Sequence, residues 1–396
     1  MTPEAHHAAA IEILDTILSG VAAEQALTRW ARGNRFAGSK DRAAIRDIVF
    51  QGERRRASAA AMGSAEPGTI TGRAIVIGLL RQAGQDPDAV FGAGGYAPSA
   101  RPPGEQGADW ADLPPEVQAD LQPWMFDRLA RDHPDQAGVI GAALRDRAPV
   151  FIRANLARTT RAALAEALGS EFGVVPHPHC ATALEITVNA RRLTQHAAWR
   201  DGLFELQDAA SQMAVASISD VVGGDAVAGD LAGMRVLDYC AGGGGKALAL
   251  AAQGAQVTAH DADPARMADI APRAARAKAQ IKTVTAPKGT FDLVVVDAPC
   301  SGSGTWRRAP GPKWTLTAAD LLDYQALQRD ILEAAWTHVR PGGTLAYMTC
   351  SVFAQENGDQ RTWCASALPG AQPGEGTQRL PDALGDGFYH VAIHRG

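Results

Sequence analysis

The spacing of apolar positions changes along the chain and divides it into regions. Ile11, Leu14, Leu18 and Val21 fall at i, i+3, i+7 and i+10, which is one face of a helix. Further helical stretches run through Ile45, Ile48 and Val49, and through Ile75, Val76, Leu79 and Leu80. Arginines lie between and beside them, so residues 1–82 read as a small all-α module with one basic surface. From Gly84 to Pro115 the chain turns to Gly, Pro, Ala and Asp. That composition predicts a loop or linker that buries little apolar surface, with Trp110 to tack it down.

A second region follows. The periodicity predicts helices over 116–130 and 136–145, a strand over Val150–Asn155, a helix over Thr160–Leu168 and a strand over Leu184–Val188. Arg153 and Asn155 alternate with apolar neighbours, which turns both outward, toward solvent or a ligand. From Phe204 the alternation becomes regular. Strands are expected at Arg235–Tyr239, Gln256–Asp261, Lys282–Thr285, Phe291–Ala298, Thr344–Thr349 and Tyr389–His394. Helices fall between most of them, at Gly245–Ala252, Pro264–Lys278 and Ala318–Val339. Strand–helix alternation predicts an α/β fold with a doubly wound, mostly parallel sheet. The domain bounds that follow are 1–108, 114–203 and 204–396.

Composition changes this picture little: 46% hydrophobic and 20% charged residues are globular values. The formal net charge of −5 gives no global pull toward nucleic acid. Locally the balance reverses, with nine basic residues against three acidic between Arg29 and Arg56. Five cysteines, an odd number without C-x-x-C spacing, argue against a disulfide framework or a zinc site. Without a secretory signal pattern or an apolar run of ~20 residues, the expectation is a cytoplasmic protein with reduced thiols and no membrane partner.

The chemistry concentrates in two strand ends. FDLVVVDAPCSGSG (291–304) and GGTLAYMTCS (342–351) are apolar runs that each stop at a small, cysteine-bearing turn. Open α/β sheets bind ligands at the carboxyl ends of their strands, so Asp297, Cys300 and Cys350 are aimed at one crevice. A thiolate is a strong nucleophile that also leaves readily. Added at C6 of a pyrimidine, it makes C5 enamine-like and able to accept a methyl group. A carboxyl group at the N3/N4 edge would hold the ring, and a base must then remove the C5 proton. A second motif, VLDYCAGGGGK (236–246), is a strand, a glycine turn and a helix start, suited to close approach of a ligand. That motif alone also fits a nicotinamide dehydrogenase. Asp261, at the next strand end, is placed to accept ribose hydroxyls, while Asp263 caps the following helix.

VLDYCAGGGGK, DAPCSGSG, RRAPGPKW and YMTCSVFAQEN together resemble the motif set of S-adenosylmethionine-dependent RNA cytosine-5 methyltransferases, in their Sun/Fmu (RsmB-type) ribosomal RNA branch. The resemblance implies a NusB-like helical RNA-binding domain, a small α/β linker domain and a Rossmann-like methyltransferase domain. It implies Cys350 as nucleophile, Cys300 in product release, Asp297 at the base and near the methyl donor, and Lys246 beside the reaction centre. S-adenosyl-L-methionine is expected on Cys240, Ala241, Gly242, Gly243, Gly244, Gly245, Lys246, Asp261 and Asp297. RNA, most simply small-subunit ribosomal RNA, is expected on Arg307, Arg308 and Lys313, and on Arg42, Arg46, Arg54 and Arg55 of the basic stretch. No metal is expected, and the chain is expected to act as a monomer.

Two departures stand out. Gly242-Gly243 replaces the family's Ala-Pro, and Val284-Thr-Ala-Pro-Lys288 carries no acid where the family places one toward the adenine. A transfer RNA methyltransferase and a non-catalytic RNA-binding assembly factor therefore stay open as alternatives.

Overall fold

The structure is a computed structural model that describes every residue except 65, 67, 104, 106 and 224–229. It divides into two compact units, one of residues 1–147 and 306–316, the other of residues 148–305 and 317–396.

The first unit is helical. Helices Pro3–Leu18, Ala23–Gly33, Ser39–Arg54, Arg56–Gly63 and Gly72–Gln82 surround a core that includes Ile13, Leu14, Trp30, Ile45, Val49, Ile75 and Ile77. Thr2 and Thr71 cap two of them by accepting the Ala5 and Ala74 N–H groups, the role their hydroxyls suit at a helix start. Gly78 lets two helices touch: a Cβ there would sit 1.8 Å from the Ala59 carbonyl oxygen. Between Gly84 and Pro115 the backbone is irregular apart from 3-10 turns at Pro87–Ala89 and Trp110–Asp112; Gly104 and Gln106 of this linker lie outside the described residues. The segment is expected to bury little apolar surface; among its described residues Phe91 is the one side chain in the helical core cluster, with Val90 packed against it. Arg73–Glu105 and Arg81–Asp109 pairs, each at 2.7 Å, hold the segment down. The single helix expected over 116–130 is instead Pro115–Gln118 and Pro123–Asp132, because Pro123 starts a new helix and Asp120 turns the chain at φ +52°.

The second unit holds two sheets. Strands β1 (Phe151–Ala154), β2 (Val174–Pro176), β3 (Ala183–Ile186) and β4 (Phe204–Leu206) form an antiparallel sheet in the order β2-β3-β1-β4, with helices Arg161–Leu168 and Ala197–Arg200 between strands. This is the split β-α-β-β-α-β arrangement. The outward placement of Arg153 and Asn155 is corrected here. Arg153 is 6% exposed and lies in register with Glu205 of β4. The Asn155 amide donates to the Gly202 and Ala277 carbonyls at 3.0 and 3.1 Å. Both sit between layers of the fold, not on its outside.

The larger sheet contains β5 (Arg235–Asp238), β6 (Gln256–His260), β7 (Ile281–Val284), β8 (Phe291–Asp297), β9 (Val339–Thr349), β10 (Ala371–Pro373), β11 (Thr377–Arg379) and β12 (Phe388–Arg395). Its order is β10-β12-β9-β8-β5-β6-β7, with β11 paired to β12; β5 to β9 are parallel and β12 runs antiparallel to β9. Leu293 and Val295 of β8 face one apolar layer, while Val294 and Val296 face another. Burial on both faces is why these strands read as unbroken apolar runs. The chain order reverses between β5 and β8, so the crevice opens above Asp238 and Asp297.

Candidate active site

β8 and β9 pair in parallel with Asp297 opposite Met348, and the ladder continues past the strand ends. The Ala298 N–H donates to the Met348 carbonyl at 3.0 Å, and the Gly304 N–H to the Cys350 carbonyl at 2.9 Å. Those bonds set the two cysteine turns side by side, with Cys300 Sγ and Cys350 Sγ 3.5 Å apart. Contact with Cys350, then burial, pushes the Cys300 thiol well above the ordinary cysteine range. A thiol that keeps its proton is a donor toward the neighbouring sulfur.

Under both turns lies Glu356, which sequence reading did not single out. It is 0% exposed. Its Oε1 accepts the Ser301 N–H at 2.9 Å and the Gln328 amide at 3.1 Å; its Oε2 accepts the Ser301 and Ser351 hydroxyls, both at 2.5 Å. Burial raises its pKa, and these donors pull it back down. Ser301 follows Cys300 and Ser351 follows Cys350, so one carboxylate fixes both thiol-bearing turns. Tyr347 donates to the Glu356 carbonyl at 2.6 Å, and Asn357 donates to the Ser351 carbonyl at 3.0 Å.

The glycine turn is held differently. Gly242 has φ +48°, a left-handed conformation in which an alanine would be strained. Arg273 donates to the Gly243 carbonyl and pairs with Glu205 of β4 at 3.0 Å, which ties the small sheet to the loop. Asp261 is buried; its carboxylate accepts the Gly242 N–H at 2.9 Å and the Asp263 N–H at 3.0 Å, and pairs with Arg266 at 3.3 Å. It braces the loop, a role the ribose expectation had left out. Asp263 caps the 3-10 turn Pro264–Met267, as expected.

A cavity of about 240 Å³ lies against this loop, lined by Cys240, Ala241, Gly242, Gly243, Gly245, Lys246, Asp238, Asp297, Gln207, Arg266 and Arg273. The Lys246 ammonium donates to Asp297 at 2.5 Å and stands 5.1 Å over the Phe388 ring. Asp238 is 1% exposed; the Ala247 N–H lies near it, but neither carboxylate oxygen makes a well-formed hydrogen bond among the described residues. Gly244, at φ +80°, closes the turn into the helix. Cys300, Cys350, Asp297 and Lys246 are thus brought to one end of the sheet, beside the glycine loop.

The basic residues separate. Lys313 is 0% exposed and donates to the Arg54 carbonyl at 2.8 Å; burial lowers its pKa to about 8. Arg307 is buried too, and its carbonyl accepts from Arg54, itself buried. These three are packing residues of the first unit, which corrects their expected placement on an RNA surface; Arg308 is exposed. Arg55 pairs with Asp146 at 2.9 Å and Arg46 with Glu24. Arg42 is exposed, with its Nε on the Ala37 carbonyl at 2.9 Å. Arg29, Arg32, Arg35 and Lys40 are exposed and make no ion pair among the described residues, and Phe36 beside them is 73% exposed. No group of three or more His, Cys, Asp or Glu suited to a metal, and no helix long and apolar enough to cross a membrane, occurs among the described residues.

Comparison with known proteins agrees with this geometry. A family described as 16S rRNA methyltransferase RsmB/F matches residues 231–364, and the ferredoxin-like domain of RsmF/B-like methyltransferases matches residues 122–191. Ribosomal RNA small subunit methyltransferase B of Vibrio cholerae is 31% identical over 69% of this chain and 64% of its own length. The protein of that name from Escherichia coli O127:H6 is 33% identical over 68% and 65%. The chain therefore covers a little under two thirds of those relatives. Among solved structures, that of PH0851 has a TM-score of 0.75 at 20% identity, covering 100% of this chain and 99% of that one. A methyltransferase homologue from Pyrococcus horikoshii has a TM-score of 0.59 at 22% identity, covering 71% and 98%. The chain is a member of the RsmB/F methyltransferase group, with its methyltransferase domain at residues 231–364 and the ferredoxin-like domain at 122–191.

Proposed function

We propose that this protein methylates C5 of a cytosine in RNA, small-subunit ribosomal RNA by preference, using S-adenosyl-L-methionine. The observation that carries the reading is the pair of thiols 3.5 Å apart on neighbouring strand ends, beside the Lys246–Asp297 pair. The glycine loop, the cavity against it and a buried carboxylate short of donors fit a ligand with a positive centre. When bound, S-adenosylmethionine supplies an electrophilic methyl group. Cys240 to Lys246, with Asp261 bracing them, would hold it.

In this reading the Cys350 sulfur, as thiolate, bonds to C6. The C5–C6 π pair becomes a C4–C5 double bond and the displaced C4–N3 pair is taken up at N3, so that C5 can accept the methyl group as S-adenosylhomocysteine departs. Asp297 holds the N3/N4 edge and Lys246 balances its charge. After transfer a base takes the C5 proton, the C–H pair re-forms the C5–C6 double bond and Cys350 departs as thiolate; the Cys300 thiol, 3.5 Å away, would serve this release by donating to the departing sulfur. The target base must be unstacked to expose C6, so the substrate is a loop or unfolded RNA. Arg29, Arg32, Arg35, Lys40 and Arg42, with Phe36, provide phosphate contacts and a stacking face. Residues 1–108 would form the NusB-like RNA-binding domain, 114–203 the linker domain and 204–396 the catalytic domain of a cytoplasmic monomer.

The test is tritium transfer from labelled S-adenosylmethionine to ribosomal RNA, with a denaturing gel for covalent complexes. Cys350→Ala is expected to transfer nothing and form no adduct, and Cys300→Ala to accumulate a cross-linked species. A dead, adduct-free Cys300→Ala with a cross-linked Cys350→Ala would reverse the two roles. The turn after β7, residues 285–290, contains no carboxylate, and cofactor binding is therefore the step to check against a non-catalytic assembly factor. Calorimetry that finds no S-adenosylmethionine binding would select it, and transfer to transfer RNA instead of ribosomal RNA would change the substrate alone.

A further inference from the structure

Two neighbouring helices of the first unit leave a hollow between them. On Ala23–Gly33, Glu24, Leu27, Thr28 and Ala31 fall at i, i+3, i+4 and i+7, which is one helix face. On Ser39–Arg54, Arg42, Ile45 and Arg46 fall at i, i+3 and i+4. These two faces, with Trp30, line a cavity of about 190 Å³. Trp30 and Ile45 are buried and Leu27 and Ala31 half-buried, so the inner wall is apolar; Glu24, Thr28 and Arg42 are exposed at a polar rim. Sites for drug-sized ligands take about 300 Å³ or more. This one has room for a single flat ring system.

The rim is partly fixed and partly open. The Arg46 guanidinium stands 4.7 Å over the Phe50 ring and donates to both Glu24 carboxylate oxygens. It is a planar group held in place, the kind of surface on which bases stack. Arg42 is anchored through Nε on the Ala37 carbonyl at 2.9 Å, and its two terminal nitrogens make no hydrogen bond among the described residues. Arg32 lies one turn beyond Thr28, and Arg35 lies in the connection between the two helices; both are exposed. An apolar slot beside a run of open cations suits a ligand that carries flat rings on an anionic backbone.

We propose that this cavity takes up one unstacked base of single-stranded RNA, with the adjoining phosphates on Arg32, Arg35 and Arg42. The statement rests on the RNA reading above and adds to it a second base-holding site, on the helical unit. Phosphate contacts alone let a strand slide, and one inserted base stops it.

The probe is a cytosine-free single-stranded ribo-oligonucleotide carrying a photoreactive thiouridine, which leaves the methylation site unengaged. Near-ultraviolet light cross-links it to the full chain, and mass spectrometry identifies the attached peptide. The adduct is expected within residues 24–46. Ala31→Leu puts a side chain into the cavity and keeps a good helix former at that position. It is expected to remove the adduct and to weaken oligonucleotide binding at least about fivefold, the low end of what holding one base is worth. The dependence of affinity on salt should not change, because no phosphate contact is lost. Arg32→Ala is expected to do the reverse, keeping the adduct and flattening the salt dependence. An adduct elsewhere on the chain, or one within 24–46 that Ala31→Leu leaves intact, overturns the proposal. So does binding of ribosomal RNA at low salt with no binding of the oligonucleotide; in each of these cases the RNA reading survives. No binding of either RNA at low salt overturns both. Should Ala31→Leu fail to fold, Thr28→Leu, at an exposed position of the same face, fills the mouth of the cavity instead.

Discussion

Glu356 and Asp238 are both fully enclosed carboxylates in the second unit, yet their surroundings are opposite. Glu356 collects donors from three separate stretches, at Ser301, Gln328 and Ser351. Asp238 has only the Ala247 N–H close by, and neither of its oxygens makes a well-formed hydrogen bond among the described residues. The first belongs to a part of the site that is finished before any ligand arrives: two thiol-bearing turns fixed to one anchor. The second lines a cavity and is left without comparable donors. Preorganisation is useful where bonds are to be made at fixed geometry, and an unmet charge is useful where a cation must be captured.

The largest expected break in this contrast comes from Asp238→Asn. A carboxyl group whose pKa is raised on folding, here from 3.8 to about 7, is protonated in both states at low pH. As pH rises between those values the unfolded chain releases its proton first, so folding stability falls, and above about 7 the loss levels off. The full effect is on the order of 4 kcal/mol. Denaturant unfolding at pH 4 and pH 8 should show wild type losing this stability relative to Asp238→Asn. Parallel profiles would mean that Asp238 has a partner in solution.

Glu356→Ala tests the other side. It leaves four donors without an acceptor in a closed space, and a loss of about 3 kcal/mol is expected in denaturant unfolding. Mere destabilisation is not the point. The cysteine turns should lose their register, so methyl transfer should fall far more than cofactor affinity does. Glu356→Gln keeps an acceptor oxygen, and the serine hydroxyls can rotate to accept from its amide, so it should recover much of both. Equal activity in the Ala and Gln variants would show that the turns hold themselves.

How legible was this in the chain? The sheet was readable because its strands are buried on both faces, which leaves Val294, Val295 and Val296 as an unbroken apolar run. The meeting of Cys300 with Cys350 was readable for the same reason, since parallel neighbours end together. What escaped was polar burial. Arg153 and Asn155 alternate with apolar residues just as surface positions do. The groups that receive Asn155, at Gly202 and Ala277, lie 47 and 122 residues away. Lys313 reaches a carbonyl 259 residues off. Periodicity describes an element's own faces and is silent about a distant partner that covers the polar one. Glu356 was hidden likewise: nothing in FAQEN announces acceptors for two turns and a helix.

The same division between engaged and open charge recurs on the first unit, where it makes the smallest but most specific prediction. Within the basic stretch, Arg46, Arg55 and Arg56 face Glu24, Asp146 and Glu53, and Arg54 is buried. Arg29, Arg32, Arg35 and Lys40 have no such partners among the described residues. Phosphate contacts release counter-ions, and each one lost reduces the salt slope of log affinity by about 0.7 for a single strand. Arg29→Ala, Arg32→Ala and Arg35→Ala should each weaken RNA binding several-fold at low salt and flatten that slope by roughly this amount. Arg46→Ala and Arg55→Ala should leave the slope nearly unchanged, because their charge is already balanced by a neighbour. Phe36→Ala should lower affinity with no change in slope, since stacking moves no ions. Filter binding across a salt series separates the three behaviours. A uniform slope change for every arginine would mean that the surface works as a diffuse field, and that ion pairing within the unit does not select which residues meet RNA.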